Sequence, residues 1–450
     1  MRWREQINRS MQEGVPAEIL RPADWGRRIA MLVSAVLVGL AAIAFAFAGD
    51  WAQETFLHAQ ARRPWINLVA TPLAFVAIAA ITVRFASASR GSGIPQVMAA
   101  GKAPEAAQSG ALLSIRTALA KVALTVGALL GGASVGREGP TVQLAAATMA
   151  HVHRLFRVKV TSGVIIAGGA AGVAAAFNTP LAGIAFAIEE LAVAYEQRVA
   201  ILVMGAVMIA GLTAQGIAGS YVYFGELDGA LPIATVLIAA PLAGVIGGVL
   251  GGLFARAVCA LRGPDGRYTR VLGKRPLATA LVCGLIVGGL GFATAGATAG
   301  TGYEPTRDLL AGAGGAYWFG PAKFAAALAT SVSGIPGGIF APSLAVGAGF
   351  GELMTPLFAP EHAGLIVLLG MGGYFTGVVR APLTAVIILS EATGSSHAIL
   401  PLFATALIGD WTGAMVCRER LYHALARDFA APRAAAEGGE AESRKDDGAS

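Results

Sequence analysis

The chain is 450 residues long, 55% hydrophobic and only 13% charged, about half the charged share of an ordinary soluble domain. Its 60 glycines are nearly twice the usual share of about 7%, which argues against a soluble enzyme and suits membrane helices whose backbones touch across small residues. The net charge of +6 sits mostly in loops and at the N-terminus, so it carries no nucleic-acid meaning.

Residues 1–28 hold six arginines, no small-residue cleavage signature follows, and the positive-inside rule places this segment in the cytoplasm. Residues 29–49 are free of charge apart from the boundary and about long enough to span the hydrocarbon at ~20 residues. A second span covers 66–83, and Arg84 and Arg90 lead from it into a first glycine-rich break, Gly91-Ser92-Gly93-Ile94-Pro95. An apolar helix from 116 carries Lys121, then a second break, Gly136-Arg137-Glu138-Gly139-Pro140, then a helix of small residues to 150. A basic loop covers 151–159, and two short apolar pieces, 161–177 and 181–195, flank Asn178-Thr179-Pro180. A span at 199–219 is followed by a polar turn at 221–231 and a long glycine-rich helix at 233–261. Residues 262–275 are strongly basic, a second cytoplasmic marker. A span at 276–300 leads to a glycine-rich connection, 301–320, and short broken helices fill 321–427, including a third break, Gly337-Gly338-Ile339-Phe340-Ala341-Pro342. Residues 430–450 are polar and expected to be disordered. The predicted organisation is a cytoplasmic segment 1–28, an all-α integral membrane domain 29–429 and a tail 430–450, with both termini cytoplasmic.

The three breaks share one design. Proline suits the first turn of a helix, where its missing N–H has no partner to lose, and glycine before it lets a ligand approach the backbone. Helix starts bare of side chains present free N–H groups and the positive end of the helix dipole. That arrangement calls for an anion. The three cysteines, Cys259, Cys283 and Cys417, stand singly and form neither a disulfide framework nor a metal set, and no cofactor is implied.

The chain also repeats itself. Pro140 and Pro342 are 342 − 140 = 202 positions apart, and the same step carries Pro180 to Pro382, Gly136 to Gly338, Gly168 to Gly370 and Glu189 to Glu391. The halves fall at about 29–220 and 232–429. Interrupted apolar segments at matching places in two halves point to a transport site between them. Periodicity alone leaves open whether the halves are inverted.

Glu138, a carboxylate between glycines in apolar sequence, is costly in a membrane unless it is used. Ionised, it is itself an anion and occupies the pocket that the helix starts create; protonated, it loses that attraction and admits a permeant anion. Arg137 and Lys121 either raise the local potential or, for Arg137, snorkel at a mouth. Ser92 either donates its hydroxyl to an anion or only shapes a turn. Ile339 and Phe340 offer backbone N–H groups. One of Glu189 and Glu190 is a proton acceptor, or both close a solvated helix end. Tyr422 points at an anion or lies in an interfacial belt.

At these residues the chain resembles the CLC family of chloride channels and proton-coupled chloride transporters, over roughly 66–427. The resemblance implies a homodimer in the lipid bilayer, each subunit with its own anion path and built from two inverted halves of tilted, partly re-entrant helices. It casts Glu138 as the gating glutamate and Glu190, with Glu189 beside it, as the inner proton-transfer group. Ser92 and Tyr422 hold the central chloride together with the N–H groups of Ile339 and Phe340, and the backbone of Arg137 and Gly139 serves the outer position. Lys121 matches a buried lysine that raises the pore potential, and Ser92 favours chloride over nitrate and fluoride. Gln96 and Met98 stand where bacterial exchangers often carry acids, which leaves the inner proton route unassigned. Nucleotide-sensing domains are not expected.

The expected function is chloride/proton antiport across a bacterial inner membrane, with chloride and protons as the partners; the alternative is a passive chloride channel of the same fold. An intramembrane hydrolase built on Ser92 lacks a visible base among the histidines, so the chain is not expected to be an enzyme.

Overall fold

The computed structural model describes residues 22–430, apart from 106–109, 192–196 and 220. The N-terminal arginines up to Arg21 and the tail beyond Ala430 therefore lie outside the described residues. Among the described residues the regular structure is helical. The first half runs α1 (Pro22–Arg62), α2 (Ile66–Phe85), α3 (Ile94–Lys102), α4 (Ile115–Leu130), α5 (Glu138–Leu155), α6 (Ser162–Phe177), α7 (Pro180–Phe186) and α8 (Gln197–Ala218). The second runs α9 (Ile233–Arg262), α10 (Thr269–Lys274), α11 (Pro276–Ala293), α12 (Tyr303–Leu310), α13 (Phe319–Ser333), α14 (Phe340–Glu352), α15 (Ala363–Val379), α16 (Pro382–Thr393), α17 (Ile399–Val416) and α18 (Leu421–Ala426). Among the described residues seven helices are long and apolar enough to cross a membrane, α1, α2, α8, α9, α11, α15 and α17. The chain is a multi-pass membrane protein.

Local chemistry explains the boundaries. Pro95, Pro140 and Pro342 sit in the first turns of α3, α5 and α14. Asn178 and Arg380 end α6 and α15 in the left-handed conformation, at φ 57° and 65°, and Pro180 and Pro382 then open α7 and α16. Ser114 caps α4 by accepting the Thr117 N–H at 3.1 Å.

Three expectations change. The span expected at 29–49 runs on as a 41-residue helix, because no proline occurs between Pro22 and Pro64 and the charges at Asp50 and Glu54 find polar surroundings. At ~1.5 Å per residue it is about 60 Å long, twice the ~30 Å hydrocarbon core, so part of it leaves the membrane. The glycine-rich connection 301–320 contains α12, whose Thr306, Leu309 and Leu310 are buried. The span expected to reach Gly300 stops at Ala293, where Ala295, Gly296 and Gly300 adopt positive φ.

Equivalent residues of the two halves meet. Gly136 N–H donates to Gly338 O at 2.9 Å and Gly338 N–H to Gly136 O at 2.7 Å, an antiparallel pair. Such a pairing of repeat-related residues fits a two-fold relation between their halves. From this point α5 runs toward the basic turn at Arg154 and Arg157, and α14 toward Glu352 and Glu361. This fits the expected inverted halves. Small residues close the seams: Gly168 and Gly172 of α6 lie on the backbone of α5, and Gly370 of α15 lies on Gly347 and Gly351 of α14, the close approach that membrane helices use in place of a hydrophobic drive.

Candidate anion and proton site

The three breaks converge. The Gly136–Gly338 pair sets the starts of α5 and α14 head to head, and Gly337 N–H donates to Gly91 O at 3.2 Å, which brings in the start of α3. None of the three helices has a side-chain cap at its N-terminus. Gly93, the residue before α3, has φ 108°, a conformation open to glycine and strained for other residues. A Cβ at Gly136 would collide with Oε2 of Glu138, and one at Gly139 with Oγ of Ser92. Glycine at these places keeps the amides bare and the polar atoms close.

Around this meeting point lie groups without settled partners. Glu138 is fully buried and neither carboxylate oxygen has an oriented hydrogen-bond partner; the N–H groups of Glu138 itself and of Ala341, from α5 and α14, point toward it. Ser92 is 5% exposed and Tyr422 fully buried. Their hydroxyls are neighbours, and neither has an oriented partner. Buried polar groups are nearly always satisfied, so several orphans in one pocket mark a place for a ligand that takes hydrogen bonds. Apart from the Glu138 carboxylate, the polar groups at it are N–H and O–H donors, a set that suits an anion. Phe340 packs its ring among Phe186, Phe375 and Tyr422, with centroids 5.0 to 5.8 Å away, so only its backbone faces the pocket.

Two vestibules reach toward the pocket. One, of about 140 Å³, is lined by Arg90, Ser92, Arg262, Gly338 and Ile339. The other, of about 480 Å³, is lined by Asp50, Glu54, Arg137, Tyr221 and Glu304. Ser92 lines the first, Arg137 the second, and Glu138 lines neither.

Comparison with known proteins agrees with this architecture. Residues 73–414 match a family model described as "Voltage gated chloride channel". The chain belongs to this family, the CLC proteins. It is 31% identical over 432 residues to an H(+)/Cl(-) exchange transporter ClcA of Yersinia pestis bv. Antiqua (strain Angola), covering 88% of this chain and 87% of the relative. The ClcA exchange transporter of Vibrio cholerae serotype O1 (strain M66-2) is 31% identical over 373 residues, 76% of this chain and 74% of the relative. A slow cyanobacterial Cl-/H+ antiporter superposes with a TM-score of 0.75 at 23% identity, over 90% of this chain and 98% of that one. A CLC-type fluoride/proton antiporter does so with 0.72 at 22% identity, over 85% and 94%. These likenesses to solved structures carry the CLC fold.

Within the CLC fold the remaining expected residues take separate places. Arg137 turns its guanidinium away from the pocket, donating to Asp50 Oδ1 at 2.5 Å and Ala46 O at 2.8 Å. Only its backbone and its field reach Glu138. Lys121 is fully buried and donates to Gly91 O at 2.7 Å, so it holds the turn that carries Ser92. The adjacent glutamates separate on a π-helical turn, Ala187–Leu191. Glu189 accepts from the N–H groups of Leu383 and Thr384 at 3.1 and 2.7 Å. Glu190 points inward, 2% exposed, with no oriented hydrogen bond to either oxygen. Gln96 is buried and spends its amide on Arg90 O and Ala88 O, and Met98 is buried beside it.

Sequence reasoning missed three residues. Lys323 is fully buried and donates to Thr298 O at 2.9 Å and Gly300 O at 2.8 Å; the 202-residue step from Lys121 lands on it, so the repeat held that signal. Asp50, the partner of Arg137, lies where α1 was expected to have ended. His423, next to Tyr422, places Nδ1 3.3 Å from Glu190 Oε1, and no local pattern marks that contact.

Proposed function

We propose that this CLC protein exchanges chloride for protons across the membrane. The observation that carries the reading is the Glu138 carboxylate, buried without a side-chain partner where the starts of α5 and α14 meet, in the same pocket as the Ser92 and Tyr422 hydroxyls. Each helix start contributes roughly half a positive charge. An ionised Glu138 and a chloride ion compete for that charge. Protonation removes Glu138 from the contest, chloride moves through, and the proton leaves with the return of the carboxylate. The central chloride takes hydrogen bonds from Ser92, Tyr422 and the N–H groups of Ile339 and Phe340, and the backbone of Arg137 and Gly139 serves the outer position.

Exchange is favoured over a passive channel by Glu190, a second buried carboxylate whose field, like that of Glu138, reaches Tyr422. A channel has no use for an acid there. The relatives named as exchange transporters support the same choice. Lys121 shapes the Ser92 turn, and Glu189 serves the helix start it caps. We place the Arg90 and Arg262 vestibule on the cytoplasmic side by the positive-inside rule, in a bacterial inner membrane, and expect a homodimer with one path in each subunit. Transport needs no nucleophile, and Ser92 serves as a hydroxyl donor.

The test is purified protein in liposomes. An imposed chloride gradient should drive protons uphill, and Glu190→Gln should abolish that movement while chloride still passes. Chloride flux with no proton movement in the unmodified protein would overturn the reading in favour of the channel.

A further inference from the structure

We propose that His423 is the proton relay between the Arg90-side solution and Glu190. This rests on the reading of Glu190 as the inner proton-transfer group and names the group that feeds it. Glu190 is 2% exposed, so its carboxylate cannot exchange protons with bulk water directly. The positions that would supply an acidic path, Gln96 and Met98, carry no titratable group, and the Gln96 amide is committed to backbone carbonyls. His423 fills the gap. Its Nδ1 is buried without an oriented partner, 3.3 Å from Glu190 Oε1, while 39% of its side chain is exposed. One ring nitrogen therefore faces the acid, and the ring itself reaches the surface.

Imidazole is the side chain that changes charge between about pH 5 and 8 and can take a proton on one nitrogen while giving one from the other. Hydronium protonates Nε2 of the Nδ1–H tautomer and leaves water, the Nδ1–H bond breaks as that proton passes to Glu190 Oε1, and the neutral Nε2–H imidazole remains. Rotation of the half-exposed ring about χ2 brings Nδ1 to solvent, where it gains a proton and Nε2 loses one, so rotation back restores the starting tautomer; the reverse sequence returns a proton outward. Besides His423, Arg420 and Glu189 act electrostatically on Glu190. The other titratable groups on elements packed against α18 are Lys102 of α3, Arg256, Cys259 and Arg262 of α9, Tyr374 of α15, and Arg427 and Asp428 just beyond α18.

General acid–base groups commonly contribute about 10²-fold or more; because water can partly bypass a relay, His423→Gln should slow coupled exchange by about tenfold, chloride and protons together. Added imidazole should restore the rate of His423→Gly, and His423→Lys, which keeps a positive charge beside Glu190, should not. In a Glu138→Gln background, whose chloride flux needs no proton, His423→Gln should cause no tenfold loss. A coupled rate unchanged in His423→Gln, rescue by lysine, or an equal loss in the Glu138→Gln background would overturn the relay. Glu190→Gln that still couples protons would instead bring down the reading beneath it.

Discussion

Glu189 and Glu391 cap each other's helices. Glu189 accepts the Leu383 and Thr384 N–H groups at the start of α16, and Glu391 accepts those of Leu181 and Ala182 at the start of α7, at 3.1 and 2.8 Å. The two acids are repeat mates, so one interaction is made twice across the two-fold. A carboxylate on free helix N–H groups is worth about 1–2 kcal/mol. Glu189→Ala should lower thermal stability in detergent by that order and leave the chloride-to-proton ratio unchanged. A changed ratio would return Glu189 to the proton path.

Glu138→Gln fixes the side chain in a state that resembles the protonated acid. The sign follows from charge: lower pH neutralises more Glu138, so chloride exchange by the unmodified protein should speed up as pH falls. In the variant, chloride flux should become insensitive to pH and proton movement should cease. Chloride efflux and external pH recorded together on the same liposomes check both.

Ser92→Ala and Tyr422→Phe each delete one hydroxyl of the proposed anion site. A hydrogen bond to a charged group contributes about 1.5–3 kcal/mol, so each change should weaken chloride or bromide binding by roughly tenfold or more. Calorimetric titration of detergent-solubilised protein measures this directly. Affinity unchanged in both variants would place the anion elsewhere.

Lys121 and Lys323 are repeat mates with similar bonds and different consequences. Lys121 holds Gly91 O, one residue from Ser92, whereas Lys323 holds the turn at Thr298 and Gly300. Lys121→Met should weaken halide binding by about fivefold, the equivalent of ~1 kcal/mol for one lost positioning bond. Lys323→Met should lower stability with halide affinity retained. Equal losses of affinity in both would mean that the lysines act through long-range charge rather than through the turns they hold.

Much of this protein was legible in its residues. Apolar runs, with glycine and proline as punctuation, determined the membrane class, the starts of α3, α5 and α14, and the 202-residue repeat, because helix starts and spans depend on chemistry within a few neighbouring positions. What lay beyond that range was decided by tertiary packing. The antiparallel pairing of Gly136 with Gly338 joined the two halves, and contacts across 87 residues turned Arg137 toward Asp50. A single π-helical turn sent Glu189 to a helix start and Glu190 inward, and α18 brought His423 against Glu190. Adjacent glutamates are indistinguishable to any local pattern; which of them meets a partner depends on where a distant helix begins, and only the folded chain brings that helix within reach.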